Sequence, residues 1–278
     1  MAADIDNIGI IAGGGQFPLI VADAARKQGV HVIAVAFEGE TDQELSNKVN
    51  EIVWIKLGQL GKLIKNFKQR NVTKALMAGT INKSKMFGEV KPDLKGLAFL
   101  SKFAIFHDDN ILRALAKELS DEGIEIVSST IFLPGLLAPE GCLSKRKPDK
   151  DEKRDIEIGW RVAKELGRLD IGQCAVIRNK TILALEAIDG TNATILRGGK
   201  IAGEKAVVVK VSKPEQDLRF DVPSVGLETI KSMIEVKAGV LAVEAGKTLI
   251  FDRDNMIDLA NENKISIISC NLQGSKKI

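Results

Sequence analysis

The sequence predicts an α/β protein: an N-terminal Rossmann-like domain with a parallel sheet, a polar linker, and a second, mixed α/β domain. Two observations carry this. Short apolar runs of strand length alternate with amphipathic runs of helical period through the first 128 residues. That pattern calls for a parallel sheet with helices on both faces. The composition then breaks over residues 133–154, first into Pro and Gly and then into a charged run with six basic and three acidic residues. The boundaries that follow are 1–134 for the first domain, 135–154 for the linker and 155–278 for the second domain. A chain of 278 residues with 45% hydrophobic and 28% charged content has apolar material for two cores.

Within the first domain, residues 8–12 form a short apolar strand that runs directly into Gly13-Gly14-Gly15-Gln16-Phe17-Pro18. Proline suits the first turn of a helix, and residues 19–27 continue at helical spacing. Strands are expected at 30–37, 51–56, 74–78 and 124–128, with helices at 42–49, 60–70, 94–106 and 109–122. In the second domain, residues 155–167, 227–236 and 254–261 read as helices. Residues 173–177, 181–186, 206–211, 238–244, 247–251 and 265–269 read as strands.

The triple glycine stands at a strand-to-helix turn, where the free backbone N–H groups of a helix start can receive a phosphate. Gly13, Gly14, Gly15 and Gln16 are therefore candidate substrate contacts. The alternative is a tight turn that needs glycine for its backbone geometry. Glu38, at the end of the second strand, stands where dinucleotide folds place a ribose-binding acid, but Pro18 occupies the position of the third fingerprint glycine. Lys83, after the fourth strand, is placed to reach an anion held at Gly13–Gly15. His31 lies inside a strand, and His107 reads as a surface or cap residue.

The second domain carries the loop that organises the chemistry, Gln216-Asp-Leu-Arg-Phe-Asp221-Val-Pro-Ser-Val-Gly226. A buried strand leads into it and a helix leaves it, a common address for active sites in α/β proteins. Asp217 and Asp221 can share a divalent cation, which takes oxygen ligands. Alternatively, Asp217 pairs with Arg219 and one aspartate caps the helix. Two further strands end in acids, at Glu186/Asp189 and at Glu244. Either the three exits converge, with Arg219, Lys213 and Thr191 alongside, or they are unrelated turns. The charged run at 144–154 reads as a linker, with anionic lipid as the alternative partner.

Composition excludes several classes. The net charge of +3 does not suit a nucleic-acid binder. No apolar run reaches the roughly 18 residues a membrane span needs, and the first thirty residues do not make a signal peptide. Three separated cysteines point to a reducing cytoplasm, without a disulfide framework or zinc spacing. Two histidines cannot furnish a calcineurin-like two-metal centre, and no Nudix-type run of glutamates is present.

Several motifs in fixed order resemble the UDP-2,3-diacylglucosamine pyrophosphatases of the LpxI type. They are Ile11-Ala-Gly-Gly-Gly-Gln-Phe-Pro18, Leu137-Ala-Pro-Glu-Gly141, Leu169-Asp-Ile-Gly-Gln173, Leu185-Glu-Ala-Ile-Asp-Gly-Thr191, Lys213-Pro-Glu-Gln-Asp-Leu-Arg-Phe-Asp-Val-Pro223 and Ala238-Gly-Val-Leu-Ala-Val-Glu-Ala-Gly-Lys-Thr-Leu-Ile250. The chain departs from the family pattern at Asn192, where the family carries an acid. The resemblance implies a cytoplasmic homodimer at the inner-membrane face that uses Mg²⁺ or another divalent cation such as Mn²⁺. It would hydrolyse its lipid-linked UDP-sugar to UMP and 2,3-diacylglucosamine 1-phosphate (lipid X), with an apolar chamber between the domains for the acyl chains. Asp221 is the expected catalytic residue, and with Asp217 the expected metal ligand, supported by Glu186 and Asp189. Lys213, Gln216, Arg219, Thr191 and Thr229 are expected at the substrate. The competing readings are a non-catalytic UDP-sugar or lipid-binding module and a nucleotide-dependent oxidoreductase.

Overall fold

The computed structural model describes residues 5–81, 91–101, 108–219 and 222–272. The chain divides into two compact units. One runs up to Pro134 and takes in a short segment that starts at Asp217; the other comprises Gly135–Gln216 and the chain from Val222 onward.

In the first unit, β1 (Asn7–Ala12), β2 (His31–Phe37), β3 (Glu51–Ile55), β4 (Lys74–Ala78) and β5 (Glu125–Ile126) form one sheet in the order β3-β2-β1-β4-β5. Every pairing in it is parallel. Alternate residues of β1 serve opposite faces, as the period of a strand requires. Ile8, Ile10 and Ala12 join Val21, Ala22 and Ala25 of α1 (Phe17–Lys27). Ile11 joins the other face, with Leu63, Ile64 and Phe67 of α2 (Leu60–Gln69). Helices α3 (Leu94–Leu100) and α4 (Asp108–Asp121) add Phe99, Ala116 and Leu119 to that second face. Residues 42–49 hold a 3₁₀ turn at Gln43–Asn47 rather than an α-helix, N-capped by Asp42.

In the second unit, β6 (Gly141–Cys142), β7 (Cys174–Arg178), β8 (Thr181–Leu185), β9 (Val207–Lys210), β11 (Val240–Glu244) and β13 (Ser266–Cys270) form a mixed sheet in the order β6-β13-β11-β9-β7-β8. Strands β9, β11 and β13 are parallel, while β6, β7 and β8 pair antiparallel. Helix α5 (Lys150–Arg168) covers one face through Ile156, Trp160 and Ala163. Helices α6 (Gly190–Ala202), α7 (Leu227–Glu235) and α8 (Arg253–Glu262) cover the other through Ile195, Ile230, Met233, Met256 and Ala260. Strands β10 (Ser224–Val225) and β12 (Leu249–Ile250) pair in a small parallel ribbon.

The structure corrects three expectations. Residues 135–154 are not a linker. Strand β6 pairs with β13, Ser144 Oγ accepts from Ile267 N at 2.8 Å, and Asp149 with Glu152 makes a capping box that starts α5 at Lys150. Some of the charges there serve the fold: Asp149 and Glu152 satisfy a helix N-terminus, and Arg146, itself half-buried, pairs with the buried Glu152 at 2.5 Å. Helix α6 has no counterpart in the sequence expectations, because Thr191, Thr194, Gly198 and Gly199 dilute its helical propensity. The segment from Asp217 does not stay with the second domain: Ser129 N donates to Arg219 O at 2.9 Å within the first unit.

Helix α6 reaches α7 through Gly199, where an added Cβ would lie 2.1 Å from Val236 Cγ2. At an open helical site Gly→Ala stabilises by about 1 kcal/mol. Here overpacking, at about 1–3 kcal/mol, opposes that gain. Gly199→Ala should therefore destabilise by up to about 2 kcal/mol in urea unfolding. Adding Val236→Ala should give a total loss smaller than the sum of the two single changes; simple additivity would show that the contact does not matter.

Candidate active site

At the C-terminal edge of the first sheet, the order β3-β2-β1-β4-β5 reverses between β1 and β4. Ligands of open α/β sheets settle at such a switch point. The glycine loop lies there, but its N–H groups are not all free. Gly13 N donates to Ala78 O at 2.8 Å and Gly14 N to Thr80 O at 2.7 Å, while Thr80 N returns a bond to Gly14 O at 3.1 Å. A Cβ on Gly13 would lie 2.5 Å from Thr80 O, and one on Gly79 2.5 Å from Gly14 O. These glycines are required for two loop backbones to touch. The expectation of free N–H groups at Gly13 and Gly14 is corrected on that ground. Gly15, with φ +85° and no neighbour within 4 Å of its added Cβ, faces open space. Thr41, unnoticed in the sequence, closes the same edge, donating to Ala12 O at 2.5 Å and accepting from Phe37 N at 2.9 Å.

The segment from Asp217 contributes a forked pair to this unit. Arg219 Nε donates to Asp217 Oδ1 at 2.9 Å and its Nη2 to Oδ2 at 2.6 Å, and Arg219 N also bonds Oδ1 at 3.1 Å. The Arg219 guanidinium holds the Asp217 carboxyl below its ordinary range, and Asp217 raises Arg219 in turn. Most acceptor directions of Asp217 are thus taken. Asp221, Lys83 and His107 lie outside the described residues. Among the described residues no group of three or more His, Cys, Asp or Glu side chains is arranged to hold a metal ion. With Asp217 committed to Arg219, a divalent cation here would depend on Asp221 for a carboxylate ligand.

In the second unit, the exits of β8, β9 and β11 share one edge of the sheet, because these three strands run the same way. Glu186 and Glu244 both stand there without converging. Strands β9 and β7 separate β11 from β8, and three strand spacings amount to about 14 Å. Glu186 accepts from Thr191 Oγ1 at 2.6 Å and from Gln173 N at 2.9 Å. Asp189 accepts instead from Arg197 Nη2 at 2.9 Å and Ala187 N at 3.1 Å; the arginine holds its carboxyl below the ordinary range. Lys213 Nζ pairs with Asp170, and Lys213 N donates to Gln216 Oε1 at 2.9 Å, closing a turn on itself. Thr229 Oγ1, at the third position of α7, accepts from Gly226 N at 3.4 Å and so serves the N-cap amide of that helix. Burial raises the Cys174 thiol strongly and pushes Cys270 up to about 12, so neither supplies a thiolate nucleophile.

The group that sequence reading underrated is Glu244, which is fully buried. Its Oε2 accepts from Lys164 Nζ at 2.7 Å, Ser212 N at 2.9 Å and Ser212 Oγ at 2.8 Å, and Lys247 Nζ lies 3.0 Å from its Oε1. Lys164 also donates to Ser212 O at 2.8 Å and stands 5.8 Å from the Trp160 ring centroid. Burial pushes the Glu244 carboxyl up, but the bonds from Lys164, Ser212 and Lys247 outweigh it and leave it below the ordinary 4.5. Burial lowers Lys164 against the pull of Glu244. A position with a lysine one helical turn after a buried Trp was the available signal.

A carboxylate with a depressed folded pKa contributes stability above its unfolded value and loses it as pH falls through the folded value. Glu244→Gln should therefore reduce stability at pH 7 by on the order of 3 kcal/mol, since it strands Lys164. The gap to wild type should close as the pH drops below 4.5. A gap that stays constant in acid denaturation series would mean that the charge of Glu244 is not what holds this edge.

Comparison with known proteins brings these two units under one description. The LpxI N-terminal domain model matches residues 7–136 and the LpxI C-terminal domain model residues 139–268. The UDP-2,3-diacylglucosamine pyrophosphatase LpxI of Caulobacter vibrioides is 30% identical over 278 residues, covering 96% of this chain and 98% of that protein. Among solved structures, the biotin carboxylase subunit of pyruvate carboxylase matches with a TM-score of 0.26, at 13% identity over 62% of this chain and 34% of that one. A biotin carboxylase from Campylobacter jejuni matches with a TM-score of 0.28, at 13% identity over 72% of this chain and 43% of that one. The chain spans less than half of each of those structures, and overlap this slight says nothing of its activity. The full-length correspondence, with both domain models in order, establishes that the chain belongs to the LpxI family.

Proposed function

We propose that this chain hydrolyses the pyrophosphate of UDP-2,3-diacylglucosamine, giving UMP and 2,3-diacylglucosamine 1-phosphate (lipid X) in lipid A biosynthesis. The observation that carries the reading is the end-to-end match to the Caulobacter pyrophosphatase. In the reaction, water adds its oxygen to one phosphorus while the bridging oxygen leaves on the other and takes up a proton. Such a step needs a positioned water and neutralisation of phosphate charge. Arg219, oriented by its two-pronged bond to Asp217, supports the second requirement, because a fixed guanidinium matches phosphate oxygens. In this reading Asp217 acts as the holder of Arg219 rather than as a free metal ligand. Asp221, on its place in the Gln-Asp-x-Arg-x-Asp-x-Pro motif, is assigned the catalytic role.

A divalent cation, Mg²⁺ or Mn²⁺, belongs to the proposal: Asp221 would hold it, and it would supply a lowered water pKa and an offset to developing negative charge. The same reading makes the protein a cytoplasmic homodimer.

The test is incubation of purified protein with UDP-2,3-diacylglucosamine, with Mg²⁺ or with EDTA, and mass spectrometry of the products. UMP and lipid X should form with metal and not with EDTA. Asp221→Ala should slow turnover by roughly 10²–10⁴-fold without changing Tm. Tight substrate binding with no product from wild type would favour a binding module instead, and undiminished turnover by Asp221→Ala would remove that residue from catalysis.

A further inference from the structure

Lys210, the last residue of β9, is 8% exposed. A charge withdrawn from water to that extent is costly unless an opposite charge answers it. Lys210 Nζ donates to one backbone oxygen, Ser224 O at 2.7 Å, and among the described residues no carboxylate pairs with it. An ammonium carries three donors, so two remain open. Strand register shows what surrounds it. Glu186 N bonds Cys174 O, Cys174 pairs with Lys210, Lys210 with Val243 and Val243 with Ser269. The row lies on the face that α6, α7 and α8 cover, because Cys174 and Val243 belong to that core. Glu186 does not answer the lysine: strand β7 separates them by two spacings, about 10 Å, and Thr191 and Gln173 N already bond its two oxygens.

Two hydroxyls on this side are buried without a partner. Ser269, 1% exposed, stands in the same row as Lys210. Thr248, at 0%, directly precedes Leu249, which pairs with the Ser224 that holds Lys210. The chain direction adds a third contribution of the same sign. Helices α6, α7 and α8 follow β8, β9 and β11, three strands that run the same way, so all three helix starts lie toward the edge where Lys210 stands. A helix start carries partial positive charge.

We propose that Lys210, Thr248 and Ser269 seat a phosphate-class oxyanion at this edge of the second unit. The inference rests on the proposed function for the bearer of that group, a phosphate of the UDP-sugar or of one of its products. Three kinds of observation select the ligand. An unanswered ammonium excludes a metal cation. Water would satisfy the two hydroxyls but leave the ammonium charge uncompensated. A phosphate group offers several charged acceptor oxygens to donors that come from different strands, and charge-assisted bonds of this type are among the strong ones. The carboxyl ends of parallel strands are also where α/β sheets receive their ligands.

The experiment is titration calorimetry of the full chain with orthophosphate, UMP and glucosamine 1-phosphate at one ionic strength, with Tm measured in parallel. Wild type should bind at least one of the two esters. Thr248→Val and Ser269→Ala each remove a hydroxyl that has no partner, so Tm without ligand should hold while affinity for that ester falls roughly tenfold. Lys210→Met should weaken it further, and Lys210→Arg should restore part of the loss. No binding of any of the three by wild type overturns the proposal. So does a Tm loss in the hydroxyl variants without ligand, which would mean that the hydroxyls hold the fold through buried water. A lower Tm in Lys210→Met with ester affinity unchanged in both hydroxyl variants would also overturn it, leaving Lys210 as a clamp on Ser224. Binding of orthophosphate alone, weakened by the same substitutions, keeps the oxyanion seat and removes its tie to the hydrolase reading.

Discussion

A carboxylate withdrawn fully from water stays charged only where donors converge on it, because its desolvation penalty amounts to several kcal/mol. Glu244 meets that condition with three partners drawn from three different parts of the second unit: Lys164 from α5, Ser212 from the exit of β9, and Lys247 from the turn after β11. The seating of α5 on the sheet and the start of the loop at Ser212 are thereby set together. Lys213 and Gln216 follow from Ser212 without an intervening element, and their own mutual bonds complete the turn. The order of this edge therefore descends from a single buried charge.

The edge of the first sheet obeys a different constraint, the close approach of two backbones. Loops after β1 and β4 bond to each other through Gly14 and Thr80, and no side chain fits between them. The glycines are needed for that reason whether or not an anion binds. Gly15, ahead of α1, is the member of the triplet left in open space.

Several groups expected at the substrate are held in pairs: Arg219 by Asp217, Lys213 by Asp170, and Glu186 by Thr191. Pairing of this kind fixes direction as well as charge, which is what electrostatic catalysis requires of a site before substrate arrives. It also explains why the acids among the described residues make no common cluster. Each has a neighbouring partner that neutralises or satisfies it, so none needs the others.

Local pattern determined a good deal from the sequence alone. The alternation of strands and helices, the 3.6-residue stripe of α2 and the period-2 faces of β1 follow from residues a few positions apart, and the five strands of the first sheet sit within a few residues of where that pattern places them. The capping signal Asp149-x-x-Glu152 was equally legible, although the charge around it suggested a linker. The motifs placed the chain in its family. Tertiary structure decided the rest: that β6 completes the second sheet, that Gly199 lets α6 lie on Val236, that Asp217 turns to Arg219, and that Glu186 and Glu244 stand three strands apart. The physical reason is the range of the interactions. Periodicity and capping are written in neighbouring residues, whereas strand order, close approach and the partner of a buried charge depend on groups tens of residues away that only the folded chain brings together.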